Sequence, residues 1–342
     1  VGYRFQQLVS FSTELVLRDM FVFIVGRGRS GTTLLKSMLD RHPDISIAPE
    51  SLFVVNTHSK YGRLAFEDDV AWKFYNDIWL EGRLQNWHLD REKLKESLLK
   101  DVEIASFSEQ CRKVYLEYAR QNGKIGVTII GDKNPHHALF LQELHDIFPD
   151  ARFVHIVRDF RDNVLSYQSV GFDMRNTAAL AYRWVIYNRN ILKFISKRPG
   201  RAIQLRFEDL VLDPVNQLKN ICDFLAVEYT DEMLEVDGND NIHAQDWHKN
   251  VSRPPDKNLI YQWKARMSKV DLAISERIAG QMGERFGYAS THSEGKLSIS
   301  ARLWCASAWL YTLSEKLLFL LPLKFRSSVI RYYRKKTRPG TI

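Results

Sequence analysis

The sequence predicts an α/β fold, a P-loop-type three-layer sandwich around a central parallel sheet with a C-terminal amphipathic helical extension. Three observations point there. Short apolar runs alternate with longer segments of helical period, the pattern of βαβ units. Each run passes at its carboxyl end into glycine or charged residues, where parallel sheets bind ligands. From residue 296 onward the chain mixes apolar and basic residues instead.

Phe21 to Val25 (FVFIV) is the first run, and Gly26-Arg27-Gly28-Arg29-Ser30-Gly31-Thr32-Thr33 follows at once. Leu34, Leu35, Met38 and Leu39 then recur at helical spacing until His42-Pro43, so strand, glycine loop and helix is the expected order. Residues 91–120 read as one long amphipathic helix through Leu94, Leu98, Leu99, Val102, Val114, Tyr115 and Tyr118. Ile125 to Ile130 is the second expected strand, ending at Gly131-Asp132-Lys133-Asn134-Pro135. A helix through Leu139, Leu141, Leu144 and Ile147 runs to Phe148-Pro149. Arg152 to Val157 is the third strand, leading into Arg158-Asp159 and a helix. Ala202 to Phe207 is the fourth, ahead of Glu208-Asp209 and a helix from Pro214 to Leu225. Residues 237–258, rich in Asp, Asn, Pro and Lys, read as a long loop, either a lid or plain surface. The expected organisation is an α/β domain over 1–295 and a basic amphipathic helical tail over 296–342.

With 342 residues and 45% hydrophobic content the chain buries a sizeable core, and its 26% charged residues argue against global disorder. The net charge of +8 is uneven: residues 296–342 carry +9 and residues 1–295 carry −1. A nucleic-acid partner is therefore not expected, since that footprint places its basicity on the folded body. Cys111, Cys222 and Cys305 are odd in number and far apart, giving no disulfide framework and no zinc signature, and favouring a reducing compartment. The expected location is cytoplasmic and peripheral to the membrane. Val1 in place of Met leaves room for a lost upstream signal or anchor.

Unpaired amides at a glycine turn and a helix N-terminus form an anion site. Gly26 and Gly31 have the spacing of a Walker A loop, but Thr32 stands where that motif needs Lys, and the cations Arg27 and Arg29 lie inside the loop. A γ-phosphate site with Mg²⁺ is poorly supplied. A site for a 5′-phosphosulfate, which needs donors and positive charge, is well supplied.

Arg29-Ser30-Gly31-Thr32-Thr33, Met38-Leu39-Asp40 and His42-Pro43-Asp44 resemble the 5′-phosphosulfate loop of sulfotransferases that use 3′-phosphoadenosine 5′-phosphosulfate (PAPS), especially the tyrosylprotein branch. The resemblance continues in order through Asp132-Lys133-Asn134-Pro135, Val157-Arg158-Asp159 with Ser166, Phe207-Glu208-Asp209-Leu210, and Arg253-Pro254 with Trp263. It implies PAPS as co-substrate, held by Arg27, Gly28, Arg29, Ser30, Gly31, Thr32 and Thr33, and a hydroxyl acceptor. Arg158 and Ser166 match the pair for the 3′-phosphate; a guanidinium grips phosphate bidentately, although Arg158-Asp159 also suits a plain ion pair at a helix start. Arg253 falls where the family places a basic donor-binding residue. Phe207 stands where the family usually has Tyr, so a hydroxyl contact to adenine is lost while ring packing remains.

Glu50, 21 residues after Arg29, matches the general base of the tyrosylprotein branch; His136, three residues past Lys133, is the rival base. Lys133 and Arg29 are the cations expected to neutralise charge growing on the leaving phosphate oxygen. No metal is implied.

Leu303 to Leu323 is apolar but interrupted by Ser314-Glu315-Lys316, and fails as a spanning helix. Beside the basic residues that follow, it reads either as a helix lying on an anionic membrane or as one packed on the enzyme. Membrane contact through 297–342 favours a lipid or sterol hydroxyl as acceptor, with a glycan or protein tyrosine also open. Two other readings stand beside the enzyme of sulfuryl transfer: a P-loop nucleotide kinase or NTPase, and a non-catalytic membrane-surface binding protein on the same scaffold.

Overall fold

The computed structural model describes residues 20–102, 105–170, 176–235, 256–291, 299–321 and 325. In chain order it contains β1 (Met20–Val25), α1 (Thr32–Leu39), β2 (Ile45–Ala48), α2 (Phe53–Tyr61), α3 (Asp68–Ile78), α4 (Arg91–Leu99) and α5 (Phe107–Gln121). Next come β3 (Ile129–Lys133), α6 (Leu141–Ile147), β4 (Arg152–Val157), α7 (Phe160–Gln168), α8 (Thr177–Ile195), β5 (Ala202–Arg206), α9 (Phe207–Leu212) and α10 (Pro214–Leu225). After the undescribed stretch follow α11 (Trp263–Arg266), α12 (Lys269–Glu284) and α13 (Ile299–Leu320).

The five strands form one parallel sheet in the order β2-β3-β1-β4-β5. Alternation along β1 divides the core. Phe21, Phe23 and Val25 face a layer built from α2 to α6 and the later part of α8, where Phe21 stacks on Phe148. Val22 and Ile24 face the opposite layer, packed by Leu35 and Leu39 of α1 and Leu218 and Ile221 of α10. The helix–sheet–helix sandwich expected from the sequence is what forms.

Two elements differ from the sequence reading. The long helix expected over 91–120 is two helices, because Ser106 and Glu109 make a reciprocal capping box that starts α5 afresh. The strand expected at Ile125 to Ile130 runs over Ile129–Lys133 instead. Gly123 and Gly126 hold left-handed turns and Ile125 is exposed, so the apolar residues before Val127 feed a turn. The shift makes Lys133 the last strand residue, registered against Ile24 of β1.

Gly131 is the tightest point of this register. A Cβ there would lie 1.8 Å from the Val22 carbonyl oxygen. Gly131→Ala is therefore expected to lower stability by about 3 kcal/mol or more, read from the urea midpoint. A loss below about 0.5 kcal/mol, within the range of ordinary surface changes, would contradict the register.

Candidate active site

The carboxyl ends of the strands deliver the site in spatial order. β2 leads to Glu50, β3 ends at Lys133, β1 opens into the glycine loop, β4 leads to Arg158 and β5 to Phe207. Because β1 sits between β3 and β4, the loop emerges where the chain order reverses, the usual crevice of an open α/β sheet.

The loop is held from beneath. Gly31 takes φ 89°, and a Cβ on it would strike the Phe207 ring at 2.3 Å, so the aromatic floor requires glycine. Arg29 is left-handed at φ 64°, a strained state for a residue with a side chain and typical of ligand sites. Asn163 of α7 stabilises the bend: its Nδ2 donates to Gly28 O at 2.8 Å and to the buried Ser30 Oγ at 3.1 Å. No side chain caps α1, so the first-turn amides of Thr32 and Thr33 lack an intrahelical acceptor. Arg27 is buried, its guanidinium between the rings of Tyr167 (4.2 Å) and Tyr187 (4.9 Å). Cation–π stacking fixes the position of that charge.

Arg29, Arg158 and Ser166 converge. Arg29 Nε donates to Ser166 Oγ at 3.0 Å, and Arg158 Nη1 donates to Arg29 O at 3.2 Å. Burial lowers the pKa of both guanidinium groups, and at Arg29 the Arg158 charge adds to the lowering. Asp159 does not pair with Arg158; it caps α7 and accepts from Arg161, at 2.9 Å on Oδ1 and 2.8 Å on Oδ2. Arg158 Nε is buried without a hydrogen-bond partner among the described residues, an unused donor that an anion fits. The Phe207 ring lies 4.8 Å from the Arg158 guanidinium, so it serves loop and cation together. Arg29, expected with Lys133 to neutralise charge on the leaving phosphate oxygen, has its Nε on Ser166.

Across the loop, Lys133 Nζ donates to Glu50 Oε1 at 2.7 Å, and Arg83 Nη1 donates to Glu50 Oε2 at 2.8 Å. Burial alone would raise the Glu50 pKa, but Lys133 and then Arg83 outweigh it and hold the carboxyl at about 2. The segment after Glu50 is fixed from two sides. Asn134 Nδ2 donates to Ser51 O at 2.9 Å, and Glu81 accepts from Ser51 Oγ and the amides of Arg83 and Leu84, each at 3.0 Å. His136 is the second residue of the Pro135–Leu139 turn, with its amide on Asn134 Oδ1 at 3.0 Å. Behind Lys133, buried Asp132 accepts from Tyr115 at 2.8 Å and lies 3.0 Å from His137 Nδ1.

Arg253 and nearly all of the 237–258 loop lie outside the described residues. Trp263, just beyond, is anchored: its amide donates to Asp162 Oδ1 at 2.8 Å and its ring lies 3.8 Å from the Arg161 guanidinium. Sequence reasoning missed Arg83, Glu81, Asn163 and Tyr167. Only Asn163 carried a sign, as a polar residue between Arg158 and Ser166 on an inward-facing helix.

The family described as Sulfotransferase family matches residues 22–231, well over half of the chain. The chain is 26% identical to protein-tyrosine sulfotransferase 1 of Danio rerio over 79% of its length and 73% of that protein. It is 27% identical to omega-hydroxy-beta-dihydromenaquinone-9 sulfotransferase Stf3 of Mycobacterium bovis, over 63% of this chain and 64% of that one. Among solved structures, the sulfotransferase domain of the Synechococcus PCC 7002 olefin synthase shares the fold: TM-score 0.57 at 23% identity, covering 78% of this chain and 94% of that domain. The sequence motifs, the parallel sheet and the family match all converge, and this chain belongs to the sulfotransferase family as an enzyme of sulfuryl transfer, similar to the tyrosylprotein branch.

Proposed function

We propose that this enzyme transfers the sulfuryl group of PAPS to a hydroxyl acceptor by in-line displacement, with Glu50 taking the hydroxyl proton. The observation that carries this reading is the Lys133–Glu50 contact at 2.7 Å, made by the ends of adjacent strands beside the glycine loop. Arg29, Arg158 and Ser166 would hold the 3′-phosphate, where the buried Arg158 Nε lacks a partner among the described residues. Ser30 to Thr33 would hold the phosphosulfate through backbone amides. Bound there, PAPS supplies the sulfuryl group and a good phosphate leaving group. Glu50 accepts the acceptor proton as the new oxygen–sulfur bond forms. Lys133 neutralises charge on the phosphate oxygen as the old sulfur–oxygen bond breaks. Lys133 thus serves two anions in turn, and its shift toward the leaving oxygen frees Glu50 to act as a base.

Fixed cations do the work a metal does in nucleotide kinases, so turnover is expected to survive chelation. The acceptor is read as a lipid, sterol or glycan hydroxyl. The names of the relatives span both protein tyrosine and a hydroxylated menaquinone, which supports a family tolerant of different hydroxyls. A cytoplasmic, membrane-peripheral location is supported by the three unpaired cysteines and the basic tail.

Labelled PAPS incubated with a panel of lipid, sterol, glycan and tyrosine-peptide hydroxyls, with chelator present, tests donor, acceptor and metal independence together. Glu50→Gln is expected to lower kcat by about 10²–10⁴-fold, with His136→Ala costing less than about tenfold. Full turnover in Glu50→Gln would contradict the base assignment.

The pH profile gives a second test. The Glu50 pKa is depressed, so its ion pairing stabilises the fold above the ordinary carboxylate value and is lost only as pH falls through about 2. kcat/KM is therefore expected to stay level from about pH 8 to 5; an acid limb near the ordinary imidazole value of about 6.5 would assign the base to a histidine.

A further inference from the structure

Among the described residues, α13 packs on the body along one side. Ala308 is fully buried against Ala178 of α8 and Ile274 of α12, and Cys305 packs on the same cluster. The opposite side is apolar as well. Ile299, Leu303, Leu310, Leu313, Leu317 and Leu321 are between 41% and 79% exposed. At about 100° per residue these six fall within a stripe roughly 80° wide, opposite Ala308 and about 33 Å long. Trp309 is half exposed at its border, and Arg302 is exposed beside it. A contiguous face of this size is uncommon on a monomer without a partner.

We propose that this face docks on a lipid bilayer bearing anionic headgroups, holding the enzyme at the membrane surface. Three observations favour a bilayer over another protein surface. No helix among the described residues is long and apolar enough to cross a membrane, so α13 lies flat rather than spanning. Residues 324–338, which follow α13 in the sequence, hold seven Lys or Arg and no Asp or Glu, complementary to anionic lipid. Trp309 at the edge of the stripe suits the headgroup level, where amphipathic rings collect. The docking does not depend on the reading of the catalytic residues.

The test is co-sedimentation of the full chain with phosphatidylcholine vesicles, with and without phosphatidylserine. Binding is expected only with phosphatidylserine and is released by salt, since screening shortens the reach of the basic segment. Arg334→Ala/Lys335→Ala/Lys336→Ala is expected to weaken binding on the order of a hundredfold, at about fivefold per cation. Leu310→Ser/Leu317→Ser is expected to weaken it at least tenfold, with an unchanged Tm and unchanged sulfuryl transfer to a water-soluble acceptor. Failure of the parent chain to pellet with the anionic vesicles would overturn the proposal, as would full binding by the leucine double variant. So would a dimer in sedimentation velocity that Leu310→Ser/Leu317→Ser dissociates, which would assign the face to a second copy.

Discussion

The pairing of β1 with β3 places Val22 beside Gly131 and Ile24 beside Lys133, and so sets the separation between the glycine loop and the lysine. Each strand contributes its group at a carboxyl end, so an error in this register would carry Lys133 to the other face or one step away from Glu50. The absence of a side chain at Gly131 lets the two backbones meet closely enough for that register. The fold thus does the positioning with rigid strands, and the loop carries backbone strain at Arg29.

Charge is distributed with the same economy. Carboxylates near the site are committed elsewhere: Asp159 to Arg161, and Glu208 to the Asp159 amide at 3.0 Å and the Tyr288 hydroxyl at 2.7 Å. Arg29 and Arg158 donate their hydrogen bonds to a serine and backbone carbonyls, while Asp162, Glu208 and Asp159 act on Arg158 through space only. On the other side Glu50 is the acid between two cations, ionised throughout the neutral range. In the proposed reaction one end of the crevice attracts the anion and the other removes the proton, with the loop between them.

Much of this was legible in the sequence because local chemistry dictates it. A strand passing into Gly26–Gly31, an arginine closing a strand at Arg158, and Ser166 two turns into the next helix all lie within short segments. The extent of β3 was not legible, because apolar residues 125–128 look strand-like and only pairing with β1 and β2 decides where the ladder runs. The break between α4 and α5 hung on one capping box. Arg83 and Glu81 were invisible because they reach Glu50 and Ser51 from 33 and 30 residues away, with no motif of their own. The aromatic neighbours of Arg27, Tyr167 and Tyr187, were not legible because they lie far along the chain. Of the tail, the described part of α13 packs on the body by one side and exposes apolar residues on the other.

Everything chemical in this account rests on a nucleotide held between the glycine loop and the Arg158–Ser166 group. Isothermal titration with adenosine 3′,5′-bisphosphate, the desulfated product, measures that directly. The account predicts saturable binding that weakens at least about thirtyfold in Arg158→Ala, the scale of a lost buried charge-assisted contact. No measurable heat with the parent chain, or equal affinity in Arg158→Ala, would contradict it.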